Sequence, residues 1–162
     1  GYVMFNSKNH NMVPLRSFDS YKIGEIFRAP GRTITSGMFS AYQAASGDNA
    51  PLHYDKVFLK RIGHKELYAH GFLTLIQSSI GATTLAHELG EALIGFLEQS
   101  SKFLKPVLCG DTLYVEFEIS DLKKSNETGV IVLDTRIFNQ RSELVASGEQ
   151  KYLIRLEQNP DN

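Results

Sequence analysis

The feature that most limits the possible folds is a strict alternation of apolar and polar residues in the second half of the chain. Within residues 112–119 every second side chain is apolar, in the order Leu113, Val115, Phe117 and Ile119. Because the side chains of a β-strand point alternately to its two faces, this pattern predicts a strand with one face in the core and one in water. Strands of this kind belong to antiparallel sheets that are packed on one side.

Other segments of the chain share this strand character. Residues 94–104, 130–138 and 144–156 are rich in apolar and β-branched side chains, and residues 21–28 offer a shorter strand. Residues 125–129, with the sequence Ser-Asn-Glu-Thr-Gly, have the composition of a tight turn. The second half of the chain is therefore predicted to form an antiparallel sheet of consecutive strands.

The first half of the chain predicts helices instead. Residues 35–46 place apolar side chains at helical spacing. Thr35 or Ser36 can cap the N-terminus of this helix, and Gly47 stands where a left-handed C-terminal cap is usual.

A second predicted helix follows Gly71 and is apolar nearly all round. Small residues separate its large apolar side chains, which are Phe72, Leu73, Leu75, Ile76 and Ile80. Because a helix without a polar face is buried, this one is expected to run through the middle of the protein. The prediction is an α+β fold in which a curved antiparallel sheet wraps around one central buried helix.

The length of the chain, 162 residues, suits one domain. Residues 1–16 are polar in their middle and are predicted to form an N-terminal arm. Residues 17–157 would form the domain itself, and residues 158–162 a frayed tail.

Charge, hydropathy and cysteine content exclude several classes of function. The formal net charge is −1 and the basic residues are scattered, so nucleic acid is not expected as a partner. No apolar run approaches the roughly 20 residues that span a bilayer, and residues 1–14 lack the pattern of a signal peptide. The single cysteine, Cys109, can build neither an internal disulfide nor a zinc site. A cytoplasmic protein that acts away from membranes is expected.

Residues 47–53, with the sequence Gly-Asp-Asn-Ala-Pro-Leu-His, carry the strongest chemical signal. Asp48 follows a predicted helix end, and His53 lies beyond Pro51, which stiffens the loop and disfavours helix at Ala50. The loop is therefore expected to hold a carboxylate and an imidazole toward one place, outside any regular element. Such a pair suits a reaction in which water is activated and a proton is delivered.

A second signal lies at His70 and Gly71, where the central helix is predicted to begin. The first N–H groups of a helix have no partner within it, and a glycine lets a substrate oxygen approach the backbone closely. Gly71 N–H is therefore a candidate oxyanion donor, and the Ser79 hydroxyl can turn toward the same region. Structural alternatives stay open, because His70 can cap the helix or stiffen the loop, and Ser79 can bond the backbone carbonyl four residues earlier in its own helix.

These motifs together resemble the signature of the MaoC-like hydratases and dehydratases. The matching stretches are Gly47-Asp48, Pro51-Leu52-His53 and His70-Gly71, followed by Phe103-Leu104-Lys105-Pro106-Val107 and Gly110-Asp111. The resemblance covers roughly residues 21–156, which is nearly the whole chain. It implies a hotdog fold, dimerisation through paired sheets, and an acyl thioester as substrate.

The resemblance also implies roles for single residues. Asp48 and His53 would be the catalytic pair that holds and activates water for addition to, or removal from, the 2,3-bond of the acyl group. Gly71 would donate its N–H to the thioester carbonyl. Ser79 would support the pair, and His70 is expected among the supporting residues.

One position departs from the family pattern and bears on the substrate. The pattern has asparagine immediately before the proline, whereas this chain has Ala50 there and Asn49 one residue earlier. Asn49 and Pro51 are expected to contact the substrate, which would be an acyl-CoA or an acyl carrier protein thioester. No metal and no cofactor beyond the coenzyme A of the substrate is expected, and the protein would be a homodimer or a larger homo-oligomer.

Three alternatives to this interpretation are open. Asp48, His53 and Asp55 in one loop could bind a divalent ion. An acyl-CoA thioesterase of the same fold would usually take its carboxylate from the central helix, but no acidic residue lies between Gly71 and His87. A protein that binds acyl thioesters without turning them over is the third alternative, although it would not need both Asp48 and His53.

Overall fold

Short helices occupy the first half of the chain and long strands the second half, in a computed structural model that describes residues 1–158. The α-helices of this part are α1 (Ser36–Ser46), α2 (Pro51–Tyr54), α3 (Lys56–Arg61), α4 (Gly71–Leu75) and α5 (Leu85–Leu89). The strands are β1 (Ile26–Arg28), β2 (Arg32–Thr33), β3 (Leu93–Phe103), β4 (Thr112–Lys124), β5 (Thr128–Phe138) and β6 (Leu144–Arg155). Single turns of 3-10 helix lie at Ser7–Asn9, Phe18–Ser20, Ile80–Ala82 and Gly90–Ala92.

The strands form a six-stranded sheet in the order β1-β4-β5-β6-β3, and β2 pairs with β4 beside β1. Every pair is antiparallel. Strands β4, β5 and β6 are joined by short turns, so that Phe117 pairs with Thr135 and Thr135 with Gly148. The predicted α+β class with an antiparallel sheet is confirmed.

The alternating pattern around Phe117 holds as predicted, and the strand continues to Lys124 as β4. Its apolar side chains are buried in the core, whereas Tyr114 on the other face is exposed. Helical residues such as Phe39 and Leu73 belong to the same buried cluster. The core therefore lies between one face of the sheet and the helices of the first half.

The predictions for the first strands need correction. Of the predicted segment 21–28 only β1 is a strand, and Tyr21 is instead a buried core residue that precedes it. Strand β2 was missed because two residues, which pair with Leu113 and Thr112 of β4, are too short to show a period.

The central helix is the second correction, because it is short and interrupted. The α-helix that begins at Gly71 ends at Leu75, and Phe72 and Ile76 remain 66% and 53% exposed. The hydroxyls of Ser78 and Ser79 donate to backbone carbonyls three residues earlier, and these bonds compete with the helical pattern. The Gln150 side chain of β6 also donates to the Ser78 carbonyl at 2.7 Å and fixes the chain where the helix has ended.

Helix α1 agrees with its prediction at both ends. The Thr35 hydroxyl accepts a hydrogen bond from Met38 N, as an N-terminal cap does. Gly47 adopts the left-handed conformation with φ 72° and ends the helix. The chain therefore leaves α1 in a fixed direction immediately before Asp48.

The two ends of the described chain are tied to the domain by side chains. Arg16, at the end of the predicted arm, donates its backbone N–H to Glu88 O and its guanidinium to Glu25 and Glu88. Gln158, the first residue of the predicted frayed tail, instead donates hydrogen bonds to the carbonyls of Arg16 and Leu89. The remainder of the predicted tail, residues 159–162, lies outside the described residues.

Strand β3 forms one edge of the sheet and carries exposed apolar side chains. Within the described chain it pairs only with β6. The large apolar side chains that it exposes are Ile94, Phe96, Leu97 and Phe103. We call these four residues the β3 edge surface. Within residues 1–158, no helix has the length and hydropathy to cross a membrane.

Candidate active site

Three side chains from separate elements meet beside the C-terminal end of α1. They are Asp48 in the loop after α1, His53 in α2 and His70 immediately before α4. A carboxylate oxygen of Asp48 and one nitrogen of each imidazole all lie within 4.8 Å of one another. Asp48 and His53 are half-buried, and His70 is only 2% exposed. The predicted pair thus becomes a cluster of three.

Asp48 is fixed by the loop that contains it. Its Oδ1 accepts the backbone N–H of Ala50 at 3.0 Å, and its own N–H donates to the Ser46 hydroxyl at 3.1 Å. Pro51 is the first residue of α2, where its missing N–H costs nothing and its fixed φ favours the helix. The loop therefore uses one oxygen of the Asp48 carboxylate and leaves the other for a ligand.

His53 lies within α2, which corrects the prediction that it belongs to no regular element. Its Nδ1 is 2.6 Å from the Tyr68 carbonyl oxygen. Because a carbonyl can only accept, Nδ1 carries the proton of a neutral His53 and Nε2 carries the lone pair. The backbone of Tyr68 therefore sets His53 as a base at Nε2.

His70 is held by a chain of two hydrogen bonds. The Tyr54 hydroxyl donates its proton to the Phe39 carbonyl at 2.9 Å, and the same oxygen is 2.8 Å from His70 Nε2. Since Tyr54 has no second proton, His70 Nε2 must be the donor and Nδ1 must be the unprotonated nitrogen. His70 Nδ1 is buried and has no hydrogen-bond partner among the described residues.

The His70 ring also stacks on His53, with ring centroids 3.9 Å apart and an interplanar angle of 28°. Burial, together with the nearby His53, lowers the pKa of His70 to about 4 from its ordinary value of 6.5, although Asp48 acts in the opposite direction. No side-chain bond from His70 caps α4, so the capping alternative is wrong. His70 is therefore a neutral imidazole at the wall of the site.

We expect His70 to make the stability of the protein depend on pH. The unfolded chain binds a proton at this position below pH 6.5, whereas the folded chain resists it down to about pH 4. The free energy of unfolding is therefore unaffected by the titration of His70 above pH 6.5 and falls, by on the order of 2 kcal/mol, as the pH is lowered toward 4. Urea unfolding of wild type and His70→Gln across this range measures the effect as a difference in unfolding free energy. A difference that stays constant with pH would contradict it.

Gly71 is the first residue of α4, as predicted, and its N–H has no hydrogen-bond acceptor among residues 1–158. Because α4 has only five residues, this N–H acts as a single hydrogen-bond donor rather than as the end of a long helix dipole. The residue is exposed, and the Phe103 ring lies 3.3 Å from where a side chain would begin. A carbonyl oxygen can therefore approach Gly71 N–H from solvent.

Ser79 and Asn49 are placed differently from the three clustered residues. The Ser79 hydroxyl donates to Ile76 O at 2.6 Å, and no hydrogen bond in the described chain joins it to Asp48 or His53. Asn49 is exposed and accepts a hydrogen bond from the Gln43 side chain of α1. The supporting role of Ser79 and the substrate contact of Asn49 stay predictions.

The three clustered residues do not have the geometry of a metal site. Because lone pairs lie in the plane of an imidazole, and the ring planes of His53 and His70 are 28° apart with centroids separated by 3.9 Å, one ion cannot lie in both planes at bonding distance. Two nitrogen ligands of one tetrahedral zinc ion must instead converge at roughly 110°. Asp55, the third ligand of the alternative set, accepts the Phe58 N–H and caps α3. A metal would require one of the rings to turn.

A cavity of about 390 Å³ lies near the C-terminal end of α4. Its lining is mainly apolar, with Arg32, Gln77 and Ser79 as polar members, and its apolar side chains include Ile76, Leu113 and Val115. The cavity is in the size range of small-ligand pockets. Ser79 therefore lies on a cavity wall rather than in the cluster.

Sequence reasoning missed the residues that orient the two imidazoles. Tyr54, whose hydroxyl contacts His70, directly follows His53 in the sequence, so a tyrosine next to the motif was visible in the sequence. The backbone carbonyls of Tyr68 and Phe39 could not be identified from the sequence, because every residue has a carbonyl and only the fold brings these two to the site.

Comparison with protein families gives a match over most of this chain. Residues 19–138 match the family described as MaoC like domain. The matched residues include the loop with Asp48 and His53 and the start of α4.

Two curated relatives and one solved structure have similar sequences or folds. An (R)-specific enoyl-CoA hydratase from Aeromonas caviae is 31% identical over 137 residues, which cover 82% of this chain and 95% of that protein. A mitochondrial 3-hydroxyacyl-[acyl-carrier-protein] dehydratase from Arabidopsis thaliana is 28% identical over 140 residues, or 83% of this chain and 81% of that protein. A Mycobacterium tuberculosis protein with a double hotdog fold matches with a TM-score of 0.75 and 25% identity, over 91% of this chain and 46% of that one. The predicted hotdog fold is confirmed.

Proposed function

The chain belongs to the MaoC-like family of hydratases and dehydratases and is an enzyme of the hydro-lyase kind, and on this premise we propose that it hydrates 2-enoyl thioesters with R specificity. The reverse reaction, dehydration of a 3-hydroxyacyl thioester, would use the same groups. The observation that carries the proposal is that the Asp48 carboxylate and the His53 imidazole come within 4.8 Å of each other, while the loop occupies Oδ1 of Asp48 and the Tyr68 carbonyl occupies Nδ1 of His53.

Water bound between Asp48 and His53 is the proposed nucleophile. One member of the pair takes a proton from the water while its oxygen forms a bond to C3, and a proton is delivered to C2. General acid–base help of this kind contributes about 10²- to 10⁴-fold to a rate. Tyr68 O keeps the His53 proton on Nδ1 and so leaves Nε2 toward the water.

Gly71 is the proposed donor to the thioester carbonyl. The hydrogen bond withdraws electrons from the conjugated double bond, which makes C3 electrophilic and stabilises the enolate that forms after attack. Supporting this role, Gly71 is exposed, its N–H has no acceptor among residues 1–158, and it directly follows His70 of the cluster. A single donor of this kind is worth about 3 kcal/mol of transition-state stabilisation.

The substrate is proposed to be an acyl-CoA or an acyl carrier protein thioester. One of the two curated relatives is named an enoyl-CoA hydratase and the other an acyl-carrier-protein dehydratase, so the two names cover both carriers. The cavity beyond α4 is apolar enough to take the hydrocarbon part of an acyl group. Asn49 and Pro51 would contact the substrate at the rim of the site.

A homodimer is the proposed assembly. Strand β3 has an unpaired edge within the described chain, and the β3 edge surface leaves large apolar side chains exposed. Pairing β3 with the same strand of a second copy would satisfy its backbone groups and cover these side chains. A larger homo-oligomer could be built from such dimers.

A thioesterase activity has less support from this structure. Glu88 in α5 is the first acidic residue in the sequence after Gly71. Its carboxylate is buried and is already hydrogen-bonded by Arg16 and Thr84. It is therefore occupied in holding the N-terminal segment and is not open to a substrate.

An assay of the wild-type protein tests the proposed reaction directly. With crotonyl-CoA and longer 2-enoyl-CoA substrates, we expect the ultraviolet band of the conjugated thioester to disappear at an enzymatic rate, with (R)-3-hydroxyacyl-CoA as product. A thiol reagent, used with saturated acyl-CoA as control, should detect no free coenzyme A. Release of coenzyme A would favour a thioesterase, and binding without turnover would favour a silent binding protein.

A further inference from the structure

The His53 ring is held by one hydrogen bond and one stacked ring. Its Nδ1 is 2.6 Å from the Tyr68 carbonyl oxygen, and no other hydrogen bond joins the ring to residues 1–158. One bond to a carbonyl restricts the tilt of a ring only weakly, because carbonyl oxygens accept hydrogen bonds over a broad range of directions. The His70 ring, stacked on His53 with the centroids 3.9 Å apart, restricts that tilt. The plane of the His53 ring therefore depends on where His70 is held.

The His70 ring is held in turn by a single hydrogen bond to Tyr54. Its Nε2 donates to the Tyr54 hydroxyl oxygen at 2.8 Å, whereas its Nδ1 has no partner in the described part of the chain. The remaining neighbours of the ring are aromatic and offer it no acceptor in the ring plane. Without the hydroxyl, His70 would bury an N–H that has no acceptor, and this cost favours a different orientation of the ring. The Tyr54 hydroxyl therefore selects the orientation that stacks on His53.

The Tyr54 hydroxyl is anchored on α1. It donates its proton to the Phe39 carbonyl at 2.9 Å, and Phe39 lies within α1. The same helix ends at Gly47, so that Asp48 is the next residue of the chain. One helix thus positions both members of the proposed catalytic pair, Asp48 through the chain itself and His53 through two side chains.

We propose that Tyr54 is a positioning residue for the hydration reaction: its hydroxyl fixes the His70 ring, and this ring fixes the orientation of His53 relative to Asp48. The inference rests on the proposed hydratase function and adds to it a residue that acts only through His70. The role requires a hydroxyl that keeps its proton. Burial, with Asp48 and Tyr42 acting in the same direction, raises the pKa of the Tyr54 hydroxyl from its ordinary value of 10 and so preserves this donor.

Tyr54→Phe removes the hydroxyl and keeps the ring. The ring contacts with Phe39 and His53, at centroid distances of 6.4 Å and 6.2 Å, can therefore remain. With crotonyl-CoA we expect kcat to fall about tenfold, because the catalytic pair loses its alignment. We expect KM to stay within about twofold of wild type, because Gly71 N–H is unchanged.

Tyr152→Phe is the matched control for the loss of a tyrosine hydroxyl. Tyr152 lies in β6, outside the cluster, and its buried hydroxyl donates to the Gln150 side chain at 2.8 Å. Both variants should lower the free energy of unfolding in urea, because each loses one such bond. Only Tyr54→Phe should lower kcat more than about twofold. Activity that falls in proportion to stability in both variants would mean that Tyr54 is only structural, and would overturn the proposal.

A double-mutant cycle tests the route through His70. His70→Phe keeps an aromatic ring against His53 but has no nitrogen for the hydroxyl to hold. In this background Tyr54→Phe should change kcat less than about twofold, although it costs about tenfold in the wild-type background. A tenfold loss in both backgrounds would show that Tyr54 acts independently of His70, and would contradict the inference.

Nitrogen-15 NMR of the histidine rings gives a readout that does not depend on turnover. Tyr54→Phe should shift the Nε2 resonance of His70 and, through the stacked rings, the resonances of His53. Tyr152→Phe should shift neither. Unchanged His53 resonances in Tyr54→Phe would overturn the positioning role. If these shifts occur but the wild type turns over no 2-enoyl thioester, the proposed hydratase function fails, and the inference fails with it for that separate reason.

Discussion

Asp48→Asn is expected to lower kcat for hydration of crotonyl-CoA by about 10³-fold while the fold remains intact. The amide oxygen of the new side chain can still accept the Ala50 N–H, so the turn that positions the loop is kept. The substitution removes the negative charge and the ability to take a proton. Loss of activity would therefore report chemistry at Asp48 rather than a displaced loop.

Asp55→Asn is the matched control for this variant. Asp55 lies in the same region and its carboxylate caps α3 by accepting the Phe58 N–H, a role that asparagine fills about as well. This control should keep kcat within about twofold of wild type. If Asp48→Asn is as active as Asp55→Asn, the proposed mechanism is wrong, and Asp48 serves only the turn.

The sequence was most informative where one local pattern determines the structure. The alternation in β4 identified the strand, and Gly47 with Thr35 identified both ends of α1, because these features depend on neighbouring residues alone. The motif likewise located Asp48 and His53 before any coordinates. Period and caps therefore sufficed for β4 and α1, and the motif sufficed to locate the loop that holds the candidate site residues.

Tertiary contacts decided the features that the sequence predicted wrongly. The apolar segment after Gly71 has the composition of a long buried helix, yet hydroxyl-to-carbonyl bonds of Ser78 and Ser79 and the amide of Gln150 end it after five residues. The shorter helix leaves Phe72 exposed. A local pattern cannot show which carbonyl a distant side chain such as Gln150 will reach.

The site illustrates the same limit. His70 was identified as part of a motif, but its unprotonated Nδ1 follows only from Tyr54 and the Phe39 carbonyl, which a sequence cannot place. The tautomer of His53 likewise depends on the backbone of Tyr68. Sequence indicates the type of the reacting groups, whereas the direction of each proton is a property of the fold.

Gly71→Pro is expected to lower kcat/KM for 2-enoyl thioesters at least 100-fold relative to Gly71→Ala, because only the proline variant lacks the N–H. Proline is well tolerated at the first position of a helix, and His70 already has the extended conformation, φ −59° and ψ 145°, that a following proline requires. The helix should therefore form in both variants. Since His70 precedes the substitution, its hydrogen bond to Tyr54 should also persist.

Gly71→Ala is the control for the added side chain, because its new Cβ meets the Phe103 ring at 3.3 Å, a contact that the exposed ring can relieve by a small shift. Both variants carry this Cβ, so the difference between them reports the loss of the N–H together with the ring Cδ that takes its place. Steady-state kinetics with crotonyl-CoA, together with unfolding midpoints for both proteins, provide the measurement. Equal kcat/KM in two equally stable variants would mean that Gly71 N–H does not bind the carbonyl. A loss confined to the proline variant would support this N–H, at the start of a helix of only five residues, as the oxyanion donor.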